Sequence, residues 1–166
     1  MKKYWFDNDP RRAAALATEL EGWAGTPYRH HCGVKGLGAD CIHLVCHVLV
    51  NVGAIPGSVL RHVPDYPRDW HLHRQNTLLQ DMIEKYLLVE RVSIDMASAG
   101  FVEGVLIDGD IVVYRFGRSN SHAAVYCRGA IFQAIEGVGV ASASLSDRQW
   151  HSRIRRVYRL LQGAAR

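Results

Sequence analysis

The sequence predicts an α+β domain, helical in its first half and built of antiparallel strands in its second. Three observations lead there. Apolar residues recur at helical spacing in three early segments. From Val89 onward the pattern changes to short runs rich in β-branched and aromatic residues. Where the joints between these runs are visible they are short polar turns, which suits neighbouring antiparallel strands better than a parallel βαβ arrangement. With 166 residues, the chain is long enough for one domain, 1–166, with one real core.

The elements follow in order. Asp7-Asn8-Asp9-Pro10 combines capping side chains with a proline suited to a first turn, so a helix starts there. It runs to about Trp23, with Ala14, Ala17, Leu20 and Trp23 on one side, and Gly25 ends it. Gly25 to Asp40 reads as a glycine-rich loop. A second helix opens at Cys41, carries Ile42, Leu44, Val45, Val48, Leu49 and Val52 on its buried face, and ends near Gly53. Pro56, Gly57, Pro64 and Pro67 then enforce an irregular segment. A third helix spans about Asn76 to Leu87, with Leu78, Leu79, Met82, Ile83, Tyr86 and Leu87 in register. Strands are expected after Gly109-Asp110, from Ser121 to Tyr126 beyond a polar turn at Gly117 to Asn120, and from Ile131 to Ile135 beyond Arg128-Gly129. Alternation in Arg153-Ile154-Arg155-Arg156-Val157-Tyr158-Arg159 predicts a last strand with a solvated basic face.

Composition narrows the function classes. The net charge of +4 comes from scattered basic residues, which argues against a nucleic-acid surface while leaving a mild field that favours anionic substrates. No apolar run approaches the length of a membrane span. The start, Met1-Lys2-Lys3-Tyr4-Trp5-Phe6, lacks the apolar stretch of a signal peptide, so synthesis in a cytoplasm is expected, with the four cysteines reduced.

The residues that carry chemistry are Cys41, His122 and Gln133. Gly38-Ala39-Asp40-Cys41 places the cysteine at a helix N-terminus, where unpaired N–H groups and the helix dipole favour a thiolate. His122 opens the second strand, and Gln133 lies 11 positions on, where antiparallel pairing can bring it beside the imidazole. Nucleophile, base and polar orienter form the arrangement used in covalent amide hydrolysis. Nine histidines also raise a zinc reading, above all His30-His31-Cys32 with Cys41, His43, Cys46 and His47. Their spacing fits no C-x2-C site and His43/His47 make only half of one, so no metal or other cofactor is expected. His62, His71 and His73 read as solvated loop residues, Cys46 and Cys127 as small core residues, and Asp110 as a turn residue at a strand entry.

Gly25-Thr26-Pro27-Tyr28, the glycine-rich loop, Asp40-Cys41, Gly109-Asp110 and Ser121-His122-Ala123-Ala124-Val125-Tyr126, in this order, resemble the NlpC family of papain-like cell-wall cysteine peptidases. The closest resemblance is to the branch found in phage tails and gene transfer agents, through Pro27-Tyr28-Arg29-His30, Val34-Lys35-Gly36-Leu37-Gly38 and Trp150…Arg153-Ile154…Tyr158-Arg159. The resemblance implies a papain-like α+β fold with Cys41 as nucleophile, His122 as base and Gln133 as the third catalytic residue. Tyr28, Asp40 and Ser121 form the implied substrate-binding set, Asp40 lying where the family receives a free amino end; a cap of the Cys41 helix is the compatible alternative for Asp40. The implied reaction is hydrolysis in the peptidoglycan stem peptide, at the γ-linkage of D-glutamate to diaminopimelate, in a phage-like tail whose proteins would be its partners. A structural tail component without activity, and an amidase or acyltransferase using the same Cys–His chemistry, are the alternatives. Three positions depart from the family pattern: Ile42 where Ser is common, His43 where Gly is usual, and Gln133 where a histidine is usual.

Overall fold

Asp9 starts the first helix by accepting hydrogen bonds from the N–H groups of Arg11 and Arg12, with Pro10 in the first turn. This is helix α1, Pro10–Trp23. The computed structural model describes residues 3–72, 78–94 and 104–163, so His73, Asn76 and Thr77 lie outside the described residues. Along α1 the buried positions are Leu16, Ala17, Leu20 and Trp23; Ala14 is exposed, one helical step off the face expected for it.

The stretch expected as a loop contains a small hairpin, β1 (Gly33–Val34) with β2 (Gly38–Ala39). Ala39 is held from its other side too, by Pro27 and Arg29 through two backbone hydrogen bonds of 3.0 Å. Helix α2, Cys41–Asn51, buries Cys41, Ile42, Leu44, Val45, Cys46, Val48 and Leu49. Beyond it, the proline-rich segment forms two short 3-10 helices, Gly57–His62 and Trp70–Leu72, and helix α3 follows at Leu78–Tyr86.

The strands are β3 (Val89–Arg91), β4 (Ile111–Phe116), β5 (Ser119–Cys127), β6 (Ala130–Ile135), β7 (Gly139–Ser144) and β8 (Ile154–Leu160). A short helix α4, Arg148–His151, precedes β8. They form one antiparallel sheet in the order β3-β8-β4-β5-β6-β7. The β4–β5 turn is tighter than expected, so His122 lies inside β5 rather than opening it.

Both faces of the sheet centre are covered. Val113, Ala123 and Val125 pack toward the helices, while Val112, Tyr114, Ala124 and Ile131 pack against Leu145 and Trp150. Double burial explains why β4 reads as the continuous run Ile-Val-Val-Tyr instead of an alternating one.

One feature of the sheet positions everything that follows. β5 pairs with β4 along most of its length, but with β6 only at Val125, Tyr126 and Cys127. Toward its start β5 leaves β6, and the N-terminus of α2 meets the strand there, with Cys41 Sγ 3.9 Å from the Ser121 carbonyl oxygen. The loop before α2 is fixed to the sheet edge as well: Gly25 N–H donates to Val140 and Val140 N–H to Thr26, at 2.9 and 2.8 Å. Gly139, at φ +95°, permits this approach, because a Cβ there would lie 2.6 Å from the Thr26 carbonyl oxygen.

The basic last strand is not simply solvated. Arg156 is exposed, but Arg159 reaches the fully buried Asp110 with two hydrogen bonds of 2.9 and 2.7 Å, and also donates to the Val105 carbonyl. Asp110 thus serves the strand entry as a buried ion-pair partner. Removing one member of such a pair strands the other charge. Arg159→Ala should lower stability by about 3 kcal/mol, and Arg156→Ala by less than about 0.5 kcal/mol, read as shifts in urea midpoint.

Candidate active site

Asp40 has an extended backbone and its side chain caps α2, accepting the His43 N–H at 2.9 Å. The same carboxylate accepts three more hydrogen bonds: His43 Nδ1–H at 2.9 Å, His31 N–H at 2.7 Å and the Tyr66 hydroxyl at 2.6 Å. Burial alone would raise its pKa, but the hydrogen bonds from His43 and Tyr66 hold it below the usual carboxylate range. His31 reaches its place with φ +57°, a left-handed conformation uncommon for a side chain of this size.

The histidines weighed as zinc ligands have other work. His30 Nε2–H donates to the Tyr66 carbonyl at 2.9 Å, and Tyr66 N–H donates to His31 Nε2 at 3.2 Å, so the pair grips the Tyr66 backbone on both sides of its Cα. The His31 and Tyr66 rings pack at 4.3 Å. His43 spends its Nδ1–H on Asp40, and His47 stacks near it. Among the described residues, no three His, Cys, Asp or Glu side chains gather so as to hold a metal ion. His62 is exposed, as expected, with its ring stacked on Tyr86; Cys46 and Cys127 are buried free thiols.

Cys41 is the first residue of α2. Because Asp40 caps the N–H of His43, the N–H groups of Cys41 and Ile42 remain beside the sulfur, joined by that of Ala123 from β5, and all three favour a thiolate. Burial outweighs them: with the Asp40 charge adding to it, desolvation pushes the Cys41 thiol up to about 12. At rest Cys41 is therefore a thiol, not the thiolate that a helix N-terminus alone would suggest.

His122 and Gln133 meet as their spacing suggested, Nε2 to Oε1 at 2.7 Å. A carbonyl oxygen can only accept, so Nε2 carries the proton and Nδ1 keeps the lone pair of a base. Gln133 is fully buried, and its amide nitrogen has no partner among the described residues. Around the imidazole stand Tyr114, Phe116 and Trp150, at ring distances of 5.8, 5.4 and 5.9 Å. Burial in this aromatic surround lowers the His122 pKa to about 4, the Gln133 hydrogen bond opposing it.

A single cleft is lined by Cys41 and His122 together with Tyr28, Asp40 and Ser121, so every predicted site residue except the buried Gln133 opens onto it. Tyr28 is half-buried, and burial raises its phenol pKa further above ordinary tyrosine, which keeps it a donor. Ser121 faces Cys41 with its carbonyl. The cleft also has lining residues that sequence reasoning missed: Tyr66, Arg68 and Trp70 from the proline-rich segment, Phe116 and Trp150, and Glu136 from the β6–β7 turn. Arg68 and Glu136 form an ion pair at its rim. The dense run Tyr66-Pro67-Arg68-Asp69-Trp70 was the available signal, aromatic and charged groups concentrated in what read as a loop.

No protein-family model matches the chain, and no curated protein matches it. Solved structures do. One is a Staphylococcus aureus protein described as similar to a lipoprotein of the NLP/P60 family, with a TM-score of 0.57 and 18% identity over 93% of this chain and 43% of that one. Another is an NlpC/P60 family protein from Bacillus cereus, with a TM-score of 0.56 and 18% identity over 90% of this chain and 40% of that one. The chain spans about two fifths of the length of these proteins, and at this identity the likeness is one of fold. It is the α+β, NlpC-type fold expected from the sequence.

A neutral His122 is a direct consequence of this geometry. Its Cε1 proton signal should titrate near pH 4, the ring being a competent base above that pH and losing that capacity as pH falls through it. A midpoint between 6 and 7 would mean that the aromatic surround does not control the imidazole.

Proposed function

We propose that this chain is an NlpC/P60-type cysteine peptidase that hydrolyses an amide in the peptide part of peptidoglycan. The observation that carries the reading is the oriented base: His122, with its Nε2 proton committed to Gln133, shares a cleft with a cysteine at a helix N-terminus. The fold shared with the two NlpC/P60 structures supports it, as does the ordered set of motifs from Pro27-Tyr28 to Ser121-His122.

The mechanism follows from the residues. His122 Nδ1 takes the Cys41 thiol proton as the sulfur attacks the substrate carbonyl carbon. The tetrahedral oxyanion is stabilised by the N–H groups at the start of α2, with the Tyr28 hydroxyl as a further donor. The amide C–N bond then breaks, the leaving amine takes the proton from His122, and a thioester remains on Cys41. Water attacks the thioester, His122 again accepting the proton. The acyl half leaves as a carboxylate and the thiol is restored. Because thiol and imidazole are both neutral at rest, substrate binding has to precede proton transfer.

The finer reading is cleavage between the γ-carboxyl of D-glutamate and diaminopimelate, in an enzyme of a phage-like tail that opens the bacterial wall. No helix among the described residues is long and apolar enough to cross a membrane.

Digestion of purified peptidoglycan, followed by mass spectrometry of the new amino termini, tests this. The wild-type chain should release products with a free diaminopimelate amine, and Cys41→Ala should release none. Gln133→Ala removes the orienting hydrogen bond but neither reacting group, and should retain activity reduced about 10- to 100-fold. Release by Cys41→Ala equal to wild type would reject the nucleophile, and no release by the wild type, from peptidoglycan or from free stem peptides, would reject the function.

A further inference from the structure

Among the described residues, three charged side chains line the cleft besides the neutral His122: Asp40, Arg68 and Glu136. Asp40 is the one the family resemblance implies for a substrate's amino end, yet four donors from the chain itself fill its lone pairs. Accepting an ammonium there would mean giving up the helix cap or the Tyr66 anchor. Arg68 and Glu136 are under no such constraint. They come from separate segments, one beyond Tyr66 and one from the β6–β7 turn, and they meet at the rim with side-chain exposures of 66% and 57%. An ion pair this exposed contributes little to stability and separates easily. The pair lines the same cleft as Cys41 and His122, and its charges reach Tyr28.

We propose that Glu136 and Arg68 are the specificity-determining residues of this cleft: their pair opens to receive a zwitterionic peptide, Glu136 taking its free α-ammonium and Arg68 its carboxylate. The proposal rests on the peptidase reading and names the groups that recognise its substrate. Its physical logic is exchange. Each charge leaves one partner and gains another, so binding strands neither. A planar guanidinium suits a carboxylate, which it can hold with two parallel hydrogen bonds. In a stem peptide released from muramic acid, the acyl half, L-alanyl-γ-D-glutamate, carries one ammonium and one carboxylate.

The test uses L-Ala-γ-D-Glu-diaminopimelate with its amino group free, the same peptide N-acetylated, and the same peptide with the glutamate α-carboxylate amidated. Preference is read both as kcat/KM and as Kd for the Cys41→Ala protein, so that recognition is measured apart from turnover. Wild type should prefer the free-amine peptide, and Glu136→Gln should shrink that preference about tenfold. Arg68→Met should shrink the preference for carboxylate over amide to a similar degree. The double exchange Arg68→Glu with Glu136→Arg separates recognition from architecture: a purely structural pair would be restored by it, whereas recognition should stay lost. Unchanged preferences in the single variants, no preference in the wild type, or restoration by the exchanged pair would each overturn the assignment while leaving the catalytic residues standing. A wild-type chain that cuts none of the peptides, with a Cys41→Ala protein that binds none, would overturn the peptidase function itself.

Discussion

The site depends on one buried carboxylate. Asp40 is 2% exposed, and a carboxylate taken out of water is costly unless its oxygens are filled. Here they are filled from three directions: the first turn of α2 through His43, the preceding loop through His31, and the proline-rich segment through Tyr66. Satisfying Asp40 therefore brings together the three segments that build one side of the cleft, and it holds the helix start that carries Cys41. His43, a bulky residue where the resembled family has glycine, becomes intelligible as a second donor to this anchor. The His30-His31 pair extends it by gripping the Tyr66 backbone.

The opposite wall is made by the sheet. Where β5 departs from β6, its backbone is available to the helix, and the Cys41 sulfur settles beside Ser121 and Ala123, on either side of His122. Tight packing produces both the geometry and its electrostatic cost. The thiol is pushed up and the imidazole down, the first by burial with Asp40 nearby and the second by burial among aromatic rings. Neutral at rest, the two groups avoid a buried ion pair that only a few N–H donors would support. Gln133 suits such a site: an uncharged orienter fixes the tautomer, and its pull toward a protonated ring is outweighed by burial.

Much of this was legible in the sequence, for physical reasons specific to each part. Helix α2 announced itself by periodicity and a capping residue, and the approach of Gln133 to His122 followed from antiparallel pairing. The hairpin inside the glycine-rich loop was not legible, since two-residue strands carry no pattern. The contributions of Tyr66, Arg68 and Trp70 depend on a long segment folding back over the helix start, and nothing local encodes that path. Alternation placed Arg159 on a solvated face because it cannot reveal that a buried Asp110 waits at the entry of β4, the neighbouring strand in the sheet. Charge at the helix start misled in a similar way: a dipole can be read from sequence, but the depth at which it is buried cannot.

The proposed chemistry requires Cys41 to form a covalent acyl intermediate, with the base held by Gln133. The measurement that reaches this most directly is intact-protein mass spectrometry after mixing the chain with L-Ala-γ-D-Glu-diaminopimelate and quenching in acid. A mass increase equal to the L-alanyl-γ-D-glutamyl group, mapped to Cys41 and absent from Cys41→Ala, is the predicted result. The same adduct on another residue, or product release by Cys41→Ala at the wild-type rate, would contradict it.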